Sequence, residues 1–250
     1  SSFAKLSSGF RVNNASDDAA GLAISESMKS QIRSYTVAER NAGDAVSMAQ
    51  TAEGALGEVH EILGRMRELA MQSSNGGLTS TDRGYINTEF GSLQAEVTRI
   101  QSSAKFNGNK LVNSTASTIT FQVGLNNTAS DKISVTFGGV GFTTLLASTT
   151  VLSGAGATAS LTALGRIDSA IATTSGARSK FGSAMNRLQV ATNNIQTMRL
   201  NLSGANSRIR DVDVADETSK MSRNQVLSQA GISVLAQANQ LPQLAFGLIG

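Results

Sequence analysis

The stretch that decides the fold is FGSAMNRLQVATNNIQTMRLNLSGANSRI, residues 181–209. Large apolar residues recur in it every seven positions, and mostly small apolar residues follow three positions after the first four of them. The large series is Phe181, Leu188, Ile195, Leu202 and Ile209, and the second series is Ala184, Ala191, Met198 and Ala205. Such a repeat is typical of a coiled-coil seam along which two backbones approach closely. We predict a long helix from about Thr162 to Ile209 that packs on another helix.

A partner of similar length lies in the first third of the chain. From Tyr35 to Ala70 the apolar and small residues alternate steps of three and four, with Leu56 and Leu63 among the large ones. This spacing keeps one face of a helix against its partner for about ten turns. We predict a helix over residues 22–70 whose stripe meets the seam of the later helix.

Turn-forming residues then separate this helix from a shorter one. SSNGGLTSTD, residues 73–82, is rich in Gly, Ser and Thr, and either Ser80 or Thr81 can cap the following helix. Apolar residues spaced by three and four continue to Ala104, so the shorter helix should fold back on the first.

Strand-like alternation replaces helical spacing in the middle of the chain. Apolar residues alternate with Ser, Thr and Gln on both sides of GLNNTASDK, which predicts a β-hairpin near residues 118–138. Residues 138–160 are rich in Gly, Ser and Thr, and we predict a loop there with one helical turn near Leu145 and Leu146.

Residues 224–250 contain no charged side chain. Gln and Asn interrupt the apolar run too often for a membrane span, which needs about 20 apolar residues. Disorder is disfavoured as well, because large apolar residues recur at heptad spacing, as in a helix that packs on other helices. These seam residues are Leu227, Val234, Leu241 and Leu248, with Leu244 three positions after Leu241. We therefore predict that the last helix lies among other protein helices on several sides.

The composition of the 250-residue chain favours helices over a compact globular core. Only 16% of the residues are charged and 4% are aromatic, whereas Ala, Ser, Thr, Asn and Gln are abundant. The predicted fold is mainly α: an elongated antiparallel helical bundle or coiled coil with a β-hairpin. There is no Cys for disulfides or thiolate metal sites, and the net charge of +3 is spread without a basic run, so nucleic acid is not an expected partner. No secretory signal pattern occurs at the start.

No pattern of catalytic or metal-binding residues is complete. The single histidine, His60, opens HEILG, in which Gly64 stands where a zinc-protease motif needs its second histidine. Acidic residues near helix starts are usually caps and dipole partners. Those considered are Asp17, Asp18, Asp211, Asp213 and Asp216. We predict neither an enzyme nor a cofactor.

Several long stretches resemble the bacterial flagellin family, in order along nearly the whole chain. They are LSSGFRVNNASDDAAGLAIS (6–25), AERNAGDAVSMAQTAEGAL (38–56), RMRELAMQSSN (65–75), FNGNKL (106–111), SRIRDVD (207–213) and MSRNQVLSQAGISVLAQANQLPQ (221–243). The resemblance implies an inner filament-core domain from residues 1–18 together with 212–250, and a rod domain from 19–211 that carries the hairpin. It implies no outer variable domain, because only about fifty residues separate FNGNKL from the last long helix. The chain also starts several helical turns later than similar flagellins do.

As implied by the resemblance, the function is that of a structural subunit that self-assembles into the extracellular flagellar filament used for swimming. The implied partners are other flagellin subunits, the flagellar export chaperone, and the cap and hook-associated proteins. Membrane insertion is not expected.

The segment RMRELAMQ also resembles the part of flagellin that Toll-like receptor 5 recognises. Carried across residue by residue, the resemblance makes Arg65, Leu69 and Glu96 receptor contacts, with Met66, Arg67 and Glu68 beside them. The simpler interpretation places Met66 in the rod core and the charged residues in ion pairs, and both roles are compatible.

Three alternatives remain at this stage. A hook-filament junction protein shares the terminal helical plan, but the terminal motifs follow flagellin more closely. A chemoreceptor signalling rod would show two matched helices, a tight hairpin tip and an upstream membrane span. A surface enzyme would need more than HEILG supplies.

Overall fold

The computed structural model describes residues 2–142, 147, 151–152 and 157–247, with side chains described as far as residue 238. The helices are α1 Ser2–Ser8, α2 Ala19–Ser73, α3 Ser80–Ser103, α4 Thr158–Arg210 and α5 Val214–Gly247. The strands form two antiparallel pairs, β1 Lys105–Phe106 with β2 Asn109–Lys110 and β3 Ser117–Gln122 with β4 Lys132–Phe137. The predicted mainly helical fold with a β-hairpin is confirmed.

The described residues form two compact units. One consists of residues 35–197, and the other combines residues 1–34 with 198–250. The larger unit contains both strand pairs and α3, and the smaller unit contains α1 and α5.

Within the larger unit, α2 runs antiparallel to α4. Three side-chain contacts show this, because the residue number rises on α2 while it falls on α4: Glu39 with Gln196 at 2.8 Å, Glu53 with Arg178 at 2.7 Å and Arg67 with Asp168 at 2.7 Å. The two ion pairs among these contacts are partly exposed, and such pairs contribute only about 0–1 kcal/mol each. The register of the two helices therefore depends mainly on their apolar seam.

Large apolar residues and alanines alternate in that seam. Leu56, Leu63 and Leu188 are fully buried, and Phe181 and Ile195 are 2% and 4% exposed. On α2, Ala42, Ala45, Ala49 and Ala52 are also fully buried, so the two backbones can pack closely there. In the smaller unit, Leu202 and Ile209 continue the heptad on α4 and are half-buried.

The start of α3 differs from the prediction. The N-cap is Thr79, and neither Ser80 nor Thr81 has this role. The backbone N–H of Asp82 donates to the Thr79 hydroxyl at 3.2 Å, and the Asp82 carboxylate accepts from the Thr79 N–H at 3.0 Å. This reciprocal capping box needs an acid or amide three residues after the cap, which Ser80 and Thr81 lack because Arg83 and Gly84 follow them.

The β1–β2 hairpin was not predicted. Its turn is Asn107-Gly108, with φ of 46° and 83°. Positive φ at both central residues suits the tight turn that Asn-Gly favours between antiparallel strands. The flanking strands have two residues each, too few to give an alternating pattern in the sequence.

The larger hairpin pairs Ser117 with Phe137 and Gln122 with Lys132 at its two ends. Its inner face, with Ile133, Val135 and Phe137 of β4, is buried in the unit core. The helical turn predicted near Leu145 and Leu146 lies outside the described residues.

Candidate assembly surface

In the smaller unit, the segment that follows α1 is hydrogen-bonded to the end of α4. The Arg11 N–H donates to the Arg210 carbonyl at 2.6 Å, and Phe10 and Asp211 form an antiparallel bridge. The Arg210 guanidinium lies 4.6 Å from the centroid of the Phe10 ring, within cation–π range. Backbone pairing and a cation–π contact therefore hold the segment after α1 against the end of α4.

Charge pairing supports this junction. Arg210 donates from Nη1 to Glu26 Oε1 at 2.7 Å, and this hydrogen bond, aided by the charge of Lys29, lowers the pKa of Glu26. Beside it, the fully buried Ser25 donates from its hydroxyl to Asn206 Oδ1 at 2.7 Å. The start of α2 is thus fixed to the end of α4.

Two of the acidic residues considered in the sequence, Asp18 and Asp213, cap helices. Asp18 Oδ1 accepts from the Gly21 N–H at 2.8 Å at the start of α2, and Asp213 Oδ1 accepts from the Ala215 N–H at 2.9 Å at the start of α5. Asp17 accepts from the N–H groups of two preceding residues, Asn14 and Asn13, and these bonds lower its pKa. No group of three or more metal-ligating side chains occurs among the described residues.

Helix α5 presents uncovered apolar side chains. Every side chain from residue 222 to 238 is exposed. Of the predicted seam, Leu227 is 61% exposed and Val234 is 65% exposed. The side chains of Leu241 and Leu244 are not described, and Leu248 lies outside the described residues.

This apolar surface is wider than the predicted seam. Val226, Ile232 and Leu235 are 67%, 65% and 65% exposed, and the sequence analysis did not single them out. Ile232 lies five positions after Leu227, which is about 140° around the helix at 3.6 residues per turn. The lack of charge on any face of residues 224–250 was the signal for these positions. No helix in the described part of the chain has the length and apolarity to cross a membrane.

On the larger unit, the residues expected to contact a receptor divide into exposed and buried ones. Arg65 bonds to Glu68 at 2.9 Å and to Glu89 at 2.8 Å, and these bonds raise the pKa of its guanidinium. Glu96 accepts from Arg99 at 2.6 Å, which lowers the pKa of Glu96.

One of the expected receptor contacts, Leu69, and one residue expected beside them, Met66, are inside the protein. Met66 is fully buried and Leu69 is 2% exposed, so both pack in the core of the unit. The remaining surface of this region consists of Arg65, Arg67 and Glu68 on α2 and Glu96 on α3, each with an ionic partner.

These features define a class, namely helical structural proteins that leave an apolar terminal helix for other protein chains to cover. Residues 1–117 match the family model of the bacterial flagellin N-terminal helical region, and residues 164–249 match that of the C-terminal helical region. The chain belongs to the bacterial flagellin family.

Individual relatives agree with this assignment. Flagellin of Halalkalibacterium halodurans is 44% identical over 246 residues, covering 98% of this chain and 89% of that protein. Flagellin of Bacillus subtilis is 40% identical over 277 residues, with coverage of 98% and 90%.

Solved structures share the fold. The crystal structure of Bacillus cereus flagellin has a TM-score of 0.54 and 31% identity, over 67% of this chain and 94% of that chain. A putative flagellar hook-associated protein from Vibrio parahaemolyticus has a TM-score of 0.66, over 78% and 100% of the two chains, but its 16% identity shows likeness of fold alone.

Proposed function

We propose that this chain is the structural subunit of a flagellar filament used for swimming, and that it polymerises with copies of itself through its terminal helices. The observation that carries the proposal is the apolar surface of α5, where Leu227 and Val234 on one face and Ile232, about 140° around the helix from Leu227, are each more than 60% exposed. An apolar surface exposed on more than one face of a helix marks a site for contact with other protein chains. Head-to-tail contacts that do not close into a ring produce an open helical polymer.

The same surface indicates which residues form the filament core and which form the rod. Residues 1–18 with 212–250 form the filament core, where neighbouring subunits bury α5, and residues 19–211 form the rod, with no outer variable domain. The polymer lies outside the cell, as expected for a filament. Its further partners are the export chaperone, the cap and the hook-associated proteins, and it has no enzymatic role.

The charged surface around Arg65 is a second contact region. Arg65, Arg67, Glu68 and Glu96 are accessible in the isolated subunit and can contact Toll-like receptor 5. Met66 and Leu69 support that surface from the core, since both are buried.

Electron microscopy of the purified chain, seeded with filament fragments in polymerising salt, tests the main proposal. Long tubes containing only this chain are the expected result. A chain that caps the seeds with short additions and then stops is a hook-filament junction protein. A chain that neither grows nor caps seeds, while folded by circular dichroism, is not a filament subunit.

A further inference from the structure

The outer edge of β4 is open at Ser134 and Thr136. The Val123 N–H donates to the Asp131 carbonyl at 2.8 Å, which fixes the phase of the β3–β4 ladder. Because hydrogen-bonded and non-hydrogen-bonded pairs alternate in antiparallel sheets, the backbone N–H and C=O groups of Ser134 and Thr136 point away from β3. Their side chains agree, since each hydroxyl lies 3.0 Å from a threonine hydroxyl on β3, as in the closer, non-hydrogen-bonded pairs.

Backbone groups after β4 and on the outer edge of β3 do have partners. Beyond the strand, the Gly138 N–H donates to the Leu111 carbonyl at 2.9 Å. On the opposite edge, Asn41 Nδ2 donates to the Gln122 carbonyl of β3 at 3.1 Å. The four backbone groups of Ser134 and Thr136 have no partner among the described residues. They form a short unpaired template for another strand.

A groove runs between this edge and α4. It consists of three adjoining cavities of about 270, 390 and 490 Å³. Thr136, Lys180 and Phe181 line both of the first two cavities, and Arg187 lines both the first and the third. The apolar floor includes Phe181, so the groove offers both an apolar surface and free backbone groups.

The charge of the groove has one sign. Lys180 and Arg187 are exposed, seven residues and so about 10.5 Å apart along α4, and neither forms an ion pair within the described residues. Lys132 lies at the third cavity and donates to Asn127 at 2.6 Å. No acidic side chain lines any of the three cavities among the described residues.

We propose that this groove, formed by β4 residues 132–136 and α4 residues 177–191, binds an extended acidic segment of another protein. The segment adds as a strand to β4, and its backbone pairs with Ser134 and Thr136. In the bound segment, every second side chain would be small and apolar and would lie above Phe181. The side chains between these would be acidic and would reach Lys180 and Arg187. A helix cannot satisfy the open strand edge, so the partner segment is extended.

A second copy of the chain offers no suitable acidic segment among its described residues. Its most acidic stretch, residues 211–217, is already folded: Asp211 bridges to Phe10, Asp213 caps α5, and Asp216 lies in α5 and pairs with Lys220 at 2.7 Å. Charge complementarity therefore favours a different protein as the occupant.

A labelled peptide Thr-Glu-Val-Glu-Val-Glu, titrated against unpolymerised subunit at low salt, tests the proposal by fluorescence anisotropy. The expected result is saturable binding that weakens about tenfold when Gln replaces each Glu, and about tenfold in the Lys180→Glu/Arg187→Glu variant, since each change removes two exposed ion pairs. The matched control is Lys110→Glu, which reverses an exposed charge on β2 and should leave binding unchanged.

Amide hydrogen exchange on the wild-type chain locates the contact without depending on any variant. Peptide binding should slow exchange at Ser134 and Thr136, and Ser134→Pro, which removes one edge N–H, should weaken binding. Three results would overturn the proposal: no saturable binding, equal affinity for the Glu and Gln peptides, or binding that leaves both amides unprotected. Protection of these two amides by polymerisation alone would make the groove an interface between copies and also overturn it. The first three results are obtained on unpolymerised subunit and do not bear on whether filaments form.

Discussion

Truncation of one exposed leucine on α5 should weaken polymerisation while the isolated subunit keeps its stability. Full burial of a leucine side chain contributes about 1.5–3 kcal/mol. Leu227 is still 61% exposed, so burial by neighbouring subunits can recover about 1–2 kcal/mol of this free energy. Leu227→Ala should therefore raise the critical concentration for polymerisation about 5–30-fold.

The assay measures the soluble subunit left at equilibrium after seeded growth and sedimentation of the polymer, for the wild type and for Leu227→Ala. Val234→Ala, two helical turns away and 65% exposed in the wild type, should act independently, so the double variant should show roughly the product of the two factors. Neither substitution should lower the melting temperature of the unpolymerised chain, because alanine has the highest helix propensity.

Leu188→Ala is the matched control, because Leu188 is fully buried within the larger unit. It should destabilise the isolated subunit by about 2–5 kcal/mol. If Leu227→Ala polymerises at the wild-type critical concentration, or if it destabilises the monomer as Leu188→Ala does, the reasoning about the α5 surface is refuted.

Two further predictions concern the stability of the isolated chain. The hydrogen bond from Arg210 is the main cause that lowers the pKa of Glu26 in the folded chain. The ionised Glu26 therefore stabilises the fold fully above the unfolded pKa of about 4.3, and this stabilisation is lost as the pH falls through the lower folded pKa. The melting temperature of the wild type should fall as the pH is lowered below about 4.3, and that of Glu26→Gln should fall less steeply. Equal slopes for the two chains would contradict this. Gly138 has φ of +73° and lies against the Asn113 side chain, so Gly138→Ala should cost about 1–3 kcal/mol in denaturant unfolding. Gly57→Ala, in a helix with open space around it, should instead stabilise the chain by about 1 kcal/mol, and the same sign for both would be inconsistent.

Sequence periodicity predicted the long helices well, because burial on one face repeats with the helical turn. Predicted bounds of 22–70 and 162–209 compare with Ala19–Ser73 and Thr158–Arg210. The cap of α3 was misplaced because three adjacent hydroxyl residues, from Thr79 to Thr81, look alike until the partner at the third following position is considered.

The expected receptor residues show a limit of a different kind. A resemblance of motif carries residue names but not side-chain directions, so it could not separate Arg65, which is exposed, from Leu69, which is 2% exposed. That distinction depends on how α2 packs on α3 and α4.

The sequence by itself determined the long helices and the uncharged, apolar-leaning segment 224–250, because heptad spacing and charge content are local properties of the chain. The resemblance of its long motifs to flagellin indicated the family. Only the tertiary structure decided which surfaces stay uncovered. Which backbone groups of β4 stay unpaired depends on how β4 pairs with β3. The cations near this edge are there because α4 lies beside β4. Each of these arrangements brings together residues that are far apart in the chain. Pairings at such separations follow from packing and leave no periodic signal in the sequence.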